Sequence, residues 1–216
     1  MKRYEQVSAF ILCGGASSRM GRTKGLLDFG GQPLIVRLAQ LVEPLVSALS
    51  AVGTHGGCAA PGLPVIQDGE FGDSHETHKK AGPLVGIATA LMTSQTEWSL
   101  ILACDLPYLT CEWLNWLLAY VTASDAQIVI PKTAGRLEPL AALYRKECAE
   151  PVIATLRRGT RKVTEAIAAL RLQVVGEEEW QQIDRDGRVL RNMNTPQEYE
   201  EARIWLDRAR LTPARE

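Results

Sequence analysis

The chain has 216 residues, with 24 lysines and arginines against 25 aspartates and glutamates, so its formal net charge is -1. This balance excludes general binders of nucleic acid or of anionic membrane surfaces, which carry a basic excess. No apolar run approaches the roughly 20 residues that span a bilayer. We therefore expect a cytoplasmic protein with no nucleic-acid or membrane partner. We expect one domain over residues 1–208 and a disordered tail over residues 209–216.

The first predicted element is a buried strand over residues 7–12, and a polar loop with paired glycines follows it up to residue 24. Gly14 and Gly15 allow the backbone to turn tightly and to bring its N–H groups close to an anion. Arg19 and Lys24 add positive charge at the end of the loop. The segment LCGGASSRMGRTK therefore predicts a phosphate-binding loop, and hence a nucleotide ligand.

Short apolar runs alternate with longer segments of helical period, which is typical of a parallel α/β sheet. Further strands are predicted over residues 48–52, 63–66, 98–103, 127–130, 140–144 and 172–175, and helices over 33–46, 82–91, 148–157 and 162–170 and from residues 110 and 195 onward. Thr110 is expected to cap its helix. The pattern predicts a three-layer α/β/α sandwich with a mostly parallel, Rossmann-like central sheet.

No further site for chemistry is expected at the cysteines, the histidines or the tryptophans. The five cysteines form no CxxC pair, so neither a zinc site nor a disulfide framework is expected. The polar stretch FGDSHETHKKA over residues 71–81, with His75 and His78, is expected to be a surface loop or a lid beside the active site. Trp113, Trp116 and Trp180 are expected in the core rather than at an interface.

Polar residues at strand ends are the candidates for chemistry, because ligands of such sheets bind outside the carboxyl ends of the strands. Besides the glycine loop, these residues are Asp68 after one strand, Asp105 after another, and the NMNTP segment over residues 192–196. Asp105 suits Mg²⁺, which takes one or two carboxylates together with waters and phosphates. Asn194 is a further oxygen donor for that ion, and Asn194 or Thr195 is also a cap for the last helix.

Two common nucleotide-binding fingerprints are missing. The loop has no GxGxxG, and the GxxxxGK[ST] spacing fails because Gly25 follows Lys24. Hydride transfer and ATP hydrolysis by a P-loop are therefore disfavoured. Two basic residues and a metal carboxylate suit attack on an α-phosphate, in which the protein positions groups and neutralises the departing pyrophosphate.

The set of motifs resembles the molybdenum cofactor guanylyltransferase (MobA) family, one of the nucleotidyltransferases with a GT-A-like fold. The motifs are LxGGxxSRMGxxK at residues 12–24, GPLVGI at 82–87, CDLP at 104–107 and NMNTP at 192–196. The resemblance implies Mg²⁺-dependent transfer of GMP from GTP to molybdopterin carrying molybdenum, with release of pyrophosphate. It also implies molybdenum-insertion and molybdoenzyme-delivery proteins as partners.

The resemblance also implies roles for individual residues. Arg19, Lys24 and Asp105 would be catalytic, and Asp105 would bind Mg²⁺. The residues assigned to GTP are Leu12, Cys13, Gly14, Gly15, Lys24, Asp68 and Asp105. The residues assigned to the molybdopterin side are Arg136, Asn192 and Asn194, with Glu138 and Pro139 in the same loop as Arg136.

This chain departs from the family pattern at three places. Cys13 stands where alanine is common, Thr23 where aspartate is common, and the second strand ends in the sequence AVGTH over residues 51–55, where the family has a nucleotide-binding asparagine. Alternatives therefore stay open: transfer from CTP to molybdopterin, transfer from another NTP to a sugar or alcohol phosphate, or a non-catalytic nucleotide-binding subunit.

Overall fold

The computed structural model describes residues 2–13, 24–53, 60–69, 71, 82–184 and 186–211. Within them a central sheet is built from eight strands. The strands are β1 (Tyr4–Leu12), β2 (Val46–Gly53), β3 (Val65–Gln67), β4 (Trp98–Ala103), β5 (Ile128–Thr133), β6 (Arg136–Leu137), β7 (Ala141–Arg145) and β8 (Leu172–Gly176). Their order is β3-β2-β1-β4-β7-β5-β6, and β8 also pairs with β5.

Strand direction brings the ends of six strands to one edge of the sheet. β1 pairs in parallel with β2 and β4, and β2 pairs in parallel with β3. β7 is antiparallel to both β4 and β5, and β8 is parallel to β5. The carboxyl ends of β1, β2, β3, β4, β5 and β8 therefore share one edge, called the carboxyl edge below. The sheet is mostly parallel, as predicted, with β6 and β7 as the antiparallel strands.

Eight α-helices cover the two faces of the sheet in the described part of the chain. They are α1 (Leu34–Val42), α2 (Gly82–Thr93), α3 (Cys111–Leu118), α4 (Tyr120–Ala123), α5 (Ala149–Arg157), α6 (Val163–Ala166), α7 (Glu177–Trp180) and α8 (Pro196–Leu211). One core packs α1, α3 and α8 against the sheet, and a second core packs α2, α5 and α6 against the other face. The predicted three-layer α/β/α sandwich is therefore confirmed.

The strands lie between these two cores because both of their faces are apolar. In β1, Ala9 and Ile11 face the first core, whereas Phe10 and Leu12 face the second. In β4 every residue is buried. A strand that is buried on both sides appears in the sequence as an unbroken apolar run, which is why the predicted bounds of β4 are correct.

The structure corrects several predicted elements. The helix expected up to residue 46 ends at Val42, and Glu43–Leu45 forms a 3₁₀ turn that contains Pro44, whose ring cannot continue an α-helix. The helix expected over residues 162–170 spans only Val163–Ala166, because the chain tightens into turns before it enters β8. α8 spans Pro196–Leu211, and residues 212–216 lie outside the described ranges.

The tryptophans expected in the core form one cluster. Trp113 and Trp180 are buried, and the half-buried Trp116 packs edge-on against Trp180 with their rings 5.4 Å apart. Among the described residues, no helix combines the length and the apolar character that a membrane crossing needs.

Candidate active site at the carboxyl edge

Three polar side chains from distant parts of the sequence meet at the carboxyl edge. Lys24 Nζ lies 2.9 Å from Asp105 Oδ2 and donates a hydrogen bond of 2.5 Å to Asn194 Oδ1. Lys24 begins the 3₁₀ turn Lys24–Leu26, Asp105 follows β4, and Asn194 precedes α8. The structure thus brings together one residue from each of three predicted strand-end motifs.

Asp105 is held in place through its backbone neighbours. The N–H of Cys104 donates to Leu12 O at 3.2 Å, which extends the β1–β4 ladder beyond the last paired strand residues. The N–H of Met193 donates to Asp105 O at 3.0 Å, and the Met193 side chain is fully buried. The turn that carries Asp105 and the segment that carries Asn194 are therefore fixed to each other.

Lys24 is positioned by a close packing contact at the next residue. Gly25 is buried, and a β-carbon added to it would lie 3.4 Å from Cys104 Cβ and 3.5 Å from Ile35 Cβ. These are ordinary van der Waals distances, so Gly25 lies directly against Cys104 and an alanine would also fit there. The 3₁₀ turn of Lys24 can therefore pack directly against the turn of Asp105.

The Lys24–Asp105 pair is largely withdrawn from water, with side-chain exposures of 17% and 16%. Charges in such a place are costly unless they are paired and hydrogen-bonded. Each of the two groups therefore needs the other while no external ion is bound. The amide oxygen of Asn194 gives the Lys24 ammonium a second acceptor.

The donor set fits a hard cation that brings most of its own ligands. Asp105 and Asn194 offer carboxylate and amide oxygens around a position that already holds the positive charge of Lys24. The described residues contain no group of three or more histidine, cysteine, aspartate or glutamate side chains arranged for a metal. Mg²⁺ suits such a site, because it keeps several waters and binds phosphates beside one or two carboxylates.

Comparison with known proteins shows the family to which the chain belongs. The family model described as a MobA-like NTP transferase domain matches residues 9–177, more than half of the chain. The chain belongs to this family. It is therefore an enzyme of the nucleotidyltransferase class.

Individual relatives agree with the family assignment. A protein of Carboxydothermus hydrogenoformans named probable molybdenum cofactor guanylyltransferase is 32% identical over 196 residues, which cover 91% of this chain and 94% of that protein. The crystal structure of molybdopterin-guanine dinucleotide biosynthesis protein A from Archaeoglobus fulgidus aligns with a TM-score of 0.76 at 22% identity, covering 93% of this chain and 99% of that one. A cytidylyltransferase for 2-C-methyl-D-erythritol 4-phosphate from Thermus thermophilus aligns with a TM-score of 0.67 at 13% identity, covering 94% and 100%. The last two comparisons show a shared fold.

In this MobA-like NTP transferase, the end of β1 lies beside the Lys24–Asp105 pair. Cys13 is buried, and its N–H donates to Val52 O at 2.8 Å. Leu12 is buried against Gly86 of α2, where an added β-carbon would lie 3.2 Å from Leu12 Cδ1. Gly86 of the GPLVGI motif thus allows α2 to approach the end of β1 closely.

Asp68 lies at the same edge but two strands away from β1. It directly follows β3 and is half-buried, and burial raises the pKa of its carboxyl group. The next residue, Gly69, donates from its N–H to Thr89 Oγ1 on α2 at 2.8 Å. Asp68 is thus placed on the opposite side of β1 from Asp105, and apart from the Lys24 cluster.

The residues expected on the molybdopterin side belong to two separate segments, β6 with the loop that follows it and the segment before α8. Arg136 is exposed on β6, and burial raises the pKa of Glu138 although Arg136 opposes that shift. The N–H of Glu138 donates to Pro131 O at 2.8 Å, and Pro139 O accepts from the Tyr144 hydroxyl at 2.8 Å. Asn192 is exposed two residues before Asn194. Of the molybdopterin-side residues, Asn194 is the one that contacts Lys24.

Several sequence predictions concern residues outside the described ranges. These are the phosphate-loop residues Gly14, Gly15 and Arg19, the departures Thr23, Thr54 and His55, and the histidines His75 and His78. One residue at the site was missed by sequence reasoning. Glu198 accepts hydrogen bonds from the backbone of residues 194 and 195. The signal was present, because Thr195 and Glu198 have the spacing of a capping box.

Proposed function

We propose that this chain transfers GMP from GTP to molybdenum-carrying molybdopterin, releasing pyrophosphate and forming the guanine dinucleotide of the cofactor. The observation that supports this proposal most directly is that Lys24, Asp105 and Asn194 meet at the carboxyl edge of a MobA-like NTP transferase. The name of the Carboxydothermus relative supports the choice of substrate pair.

The proposed reaction forms one P–O bond and breaks another. An oxyanion of the second substrate attacks the α-phosphorus, and the bond from that phosphorus to the bridging oxygen of the β-phosphate breaks. The leaving pyrophosphate takes the electron pair. Such a transfer needs alignment and neutralisation of charge more than it needs a protein nucleophile.

Among the described residues, Lys24 is the one best placed to pair with the negative charge of the triphosphate. Its ammonium is held by Asp105 and Asn194 when no anion is present. Phosphate oxygens carry more negative charge than these partners, so a bound triphosphate draws Lys24 away from them. Charge-assisted bonds of this kind are about twice as strong as neutral ones.

Asp105 and Asn194 would hold Mg²⁺ in the nucleotide complex, since their oxygens are the ligands that this ion prefers. When bound, the ion neutralises phosphate charge and polarises the reacting phosphorus–oxygen bonds. Arg19 is proposed to add charge to the departing pyrophosphate. Leu12, Cys13, Gly14 and Gly15 are proposed to line the nucleotide, and Asp68 its nucleoside portion.

Molybdopterin is proposed to bind from the side of Asn192, Asn194 and Arg136, with molybdenum-insertion and molybdoenzyme-delivery proteins as further partners. The β5–β6 hairpin leads through Glu138 and Pro139 into β7. The carbonyl of Leu140, just before β7, accepts from Ala103 N at 2.8 Å. This connection brings the hairpin's end next to the strand that carries Asp105.

The first test is a nucleotide screen by isothermal titration with GTP, CTP, ATP and UTP in the presence of Mg²⁺. We expect GTP to bind most tightly. β2 ends at Gly53, which has no side chain to read a base, so base selection depends on other residues. Preference for CTP or UTP would replace the guanylyl assignment by one of the alternative transferases.

The second test measures pyrophosphate release with GTP and molybdopterin. Asp105→Ala is expected to lower the rate by about 10³-fold, because a metal carboxylate contributes several kcal/mol in the transition state. The matched control is Asp125→Ala, which removes an exposed carboxylate just before β5. A wild-type chain that binds GTP without releasing pyrophosphate would instead be a non-catalytic nucleotide-binding subunit.

A further inference from the structure

Thr195 and Glu198 form a reciprocal cap at the start of α8. Glu198 Oε2 accepts from Asn194 N at 2.7 Å and from Thr195 N at 2.9 Å. In return, the N–H of Glu198 donates to Thr195 Oγ1 at 3.2 Å. Capping boxes satisfy the unpaired N–H groups of a first helical turn. In this capping box, Glu198 also accepts from the N–H of Asn194, the residue before Thr195.

The extra hydrogen bond links Glu198 to the candidate active site through a single residue. Asn194 receives the Glu198 carboxylate at its backbone and offers its side-chain oxygen to Lys24. The bond from Asn194 N–H is also the largest cause that lowers the pKa of Glu198, so the carboxylate stays ionised at neutral pH. Glu198 itself acts only through Asn194.

A second contact ties the same helical turn to the segment of Lys24. The Tyr199 hydroxyl donates to Asp28 O at 2.5 Å, and the N–H of Leu27 donates to Lys24 O at 3.1 Å. The first turn of α8 is therefore fixed relative to the backbone that carries Lys24. A rotation of the Asn194 peptide would move its amide oxygen relative to this fixed backbone.

We propose that Glu198 is a positioning residue of the active site, which holds the Asn194 peptide so that the amide oxygen stays directed at the Lys24 position. This inference rests on the proposed function where it is tested by binding, because that experiment uses GTP as the ligand. The alternative is a purely structural cap that stabilises α8 and has no effect on Lys24.

The chain offers a matched control in α7. Glu179 Oε1 accepts from the N–H of Gly176, the N-cap residue of that helix, at 2.9 Å. Its other carboxylate oxygen accepts from the Tyr120 hydroxyl at 2.9 Å. Glu179→Ala therefore removes a cap of the same chemistry, and this cap has no link to Asn194 among the described residues.

The decisive experiment is a double-mutant cycle on the dissociation constant of GTP with Mg²⁺. Glu198→Ala and Asn194→Ala are each expected to weaken binding by about tenfold, the effect of one hydrogen bond to a charged group. The double variant should bind no more weakly than Asn194→Ala alone, because Glu198 acts through that residue. Glu198→Gln, which keeps an oxygen acceptor, should recover most of the affinity, and Glu179→Ala should leave it unchanged. Unchanged affinity in Glu198→Ala would show a purely structural cap, and additive losses in the double variant would show that Glu198 acts independently of Asn194. Either result would overturn the proposal.

A ligand-free measurement separates this proposal from the proposed function. The rate of Lys24 acetylation by a water-soluble acylating reagent is read by mass spectrometry, with the exposed Lys146 as internal reference. Glu198→Ala should raise the Lys24 rate several-fold relative to Lys146, and Glu179→Ala should not. An unchanged ratio in Glu198→Ala would overturn the positioning role. A raised ratio in a chain that binds no nucleotide would keep the positioning role and overturn the proposed function.

Discussion

Lys24 has the most demanding environment of any single residue at the site. Its side chain is only 17% exposed, and its ammonium has two oxygen partners. A largely buried cation without partners would be costly. Under the proposed function, phosphate oxygens of the ligand would replace these protein oxygens as partners.

Replacing Lys24 by alanine should mainly damage the ligand-bound state. We expect Lys24→Ala to weaken GTP binding by about 10- to 100-fold, since hydrogen bonds to charged groups contribute about 1.5–3 kcal/mol. The measurement is isothermal titration, followed by pyrophosphate release at saturating GTP. Lys146→Ala is the control, because Lys146 is exposed and follows β7 at the opposite edge of the sheet. Equal affinity of Lys24→Ala and wild type would remove Lys24 from the phosphate site.

At the level of secondary-structure elements, α2 packs closely against the end of β1. A β-carbon added to Gly86 would lie 3.2 Å from Leu12 Cδ1, so the Leu12 side chain would have to move by a few tenths of an ångström. Alanine would gain about 1 kcal/mol in helix propensity at this position, whereas overpacking costs about 1–3 kcal/mol. The two effects nearly cancel in stability.

Gly86→Ala should therefore change function more than stability. We expect a melting temperature within about 4 °C of wild type and GTP binding that is weaker by about three- to tenfold, because the Leu12 side chain at the end of β1 is displaced. Calorimetry and titration measure the two quantities. Adding Leu12→Val, which shortens the contacting side chain, should recover affinity, and Met92→Ala on the exposed side of α2 is the control. Full affinity in Gly86→Ala would show that this contact does not position the nucleotide site.

Elements with a strong local signal could be predicted from the sequence. β4 has its predicted bounds because its unbroken apolar run is buried on both faces. Thr110 caps α3 as predicted, accepting from Trp113 N at 3.2 Å. The position of Asp105 agrees with the rule that strand ends gather at one edge. Asn194 follows no strand directly, and its segment is joined to the site by the hydrogen bond from Met193 N to Asp105 O.

Other features depend on contacts that a single sequence does not reveal. The antiparallel direction of β7 follows from its pairing with β4 and β5, since its apolar pattern suits either direction. α6 is shorter than its helical period because the chain must turn to reach β8. Glu198 has the spacing of a cap, but its bond to Asn194 becomes significant only when Asn194 is seen next to Lys24.

At the scale of the whole molecule, burial shifts the titration of most tyrosine hydroxyls. Burial raises the pKa of four of the five tyrosines, namely Tyr4, Tyr108, Tyr120 and Tyr144. For Tyr120, burial and the bond to Glu179 raise the pKa to about 12. Burial also raises the pKa of the Cys148 thiol to about 12.

These shifts predict a loss of stability at alkaline pH. A folded-state pKa above the unfolded value of 10.0 means that the folded protein keeps protons which the unfolded chain releases. Stability should be constant with respect to these tyrosines below about pH 10 and fall as the pH rises towards 12. Guanidinium titrations between pH 8 and 12 measure the fall. Tyrosinate absorbance at pH 11 should be smaller in the folded than in the unfolded protein, and equal absorbance would contradict the burial of these hydroxyls.

The reversed strand β7 has a consequence for how the enzyme class can diversify. In the sheet, β7 separates β1, β2 and β4 from β5, β6 and β8. Lys24 and Asp105 lie on the β4 side of β7, because Asp105 lies in the turn after β4 and pairs with Lys24. The hairpin strands and β7 are continuous in sequence over residues 128–145. Exchange of that contiguous stretch would change the side of the cleft proposed for the acceptor and leave the side proposed for the triphosphate in place. Two crossovers in a gene, one at each end of this stretch, would therefore offer an old nucleotide chemistry to a new acceptor.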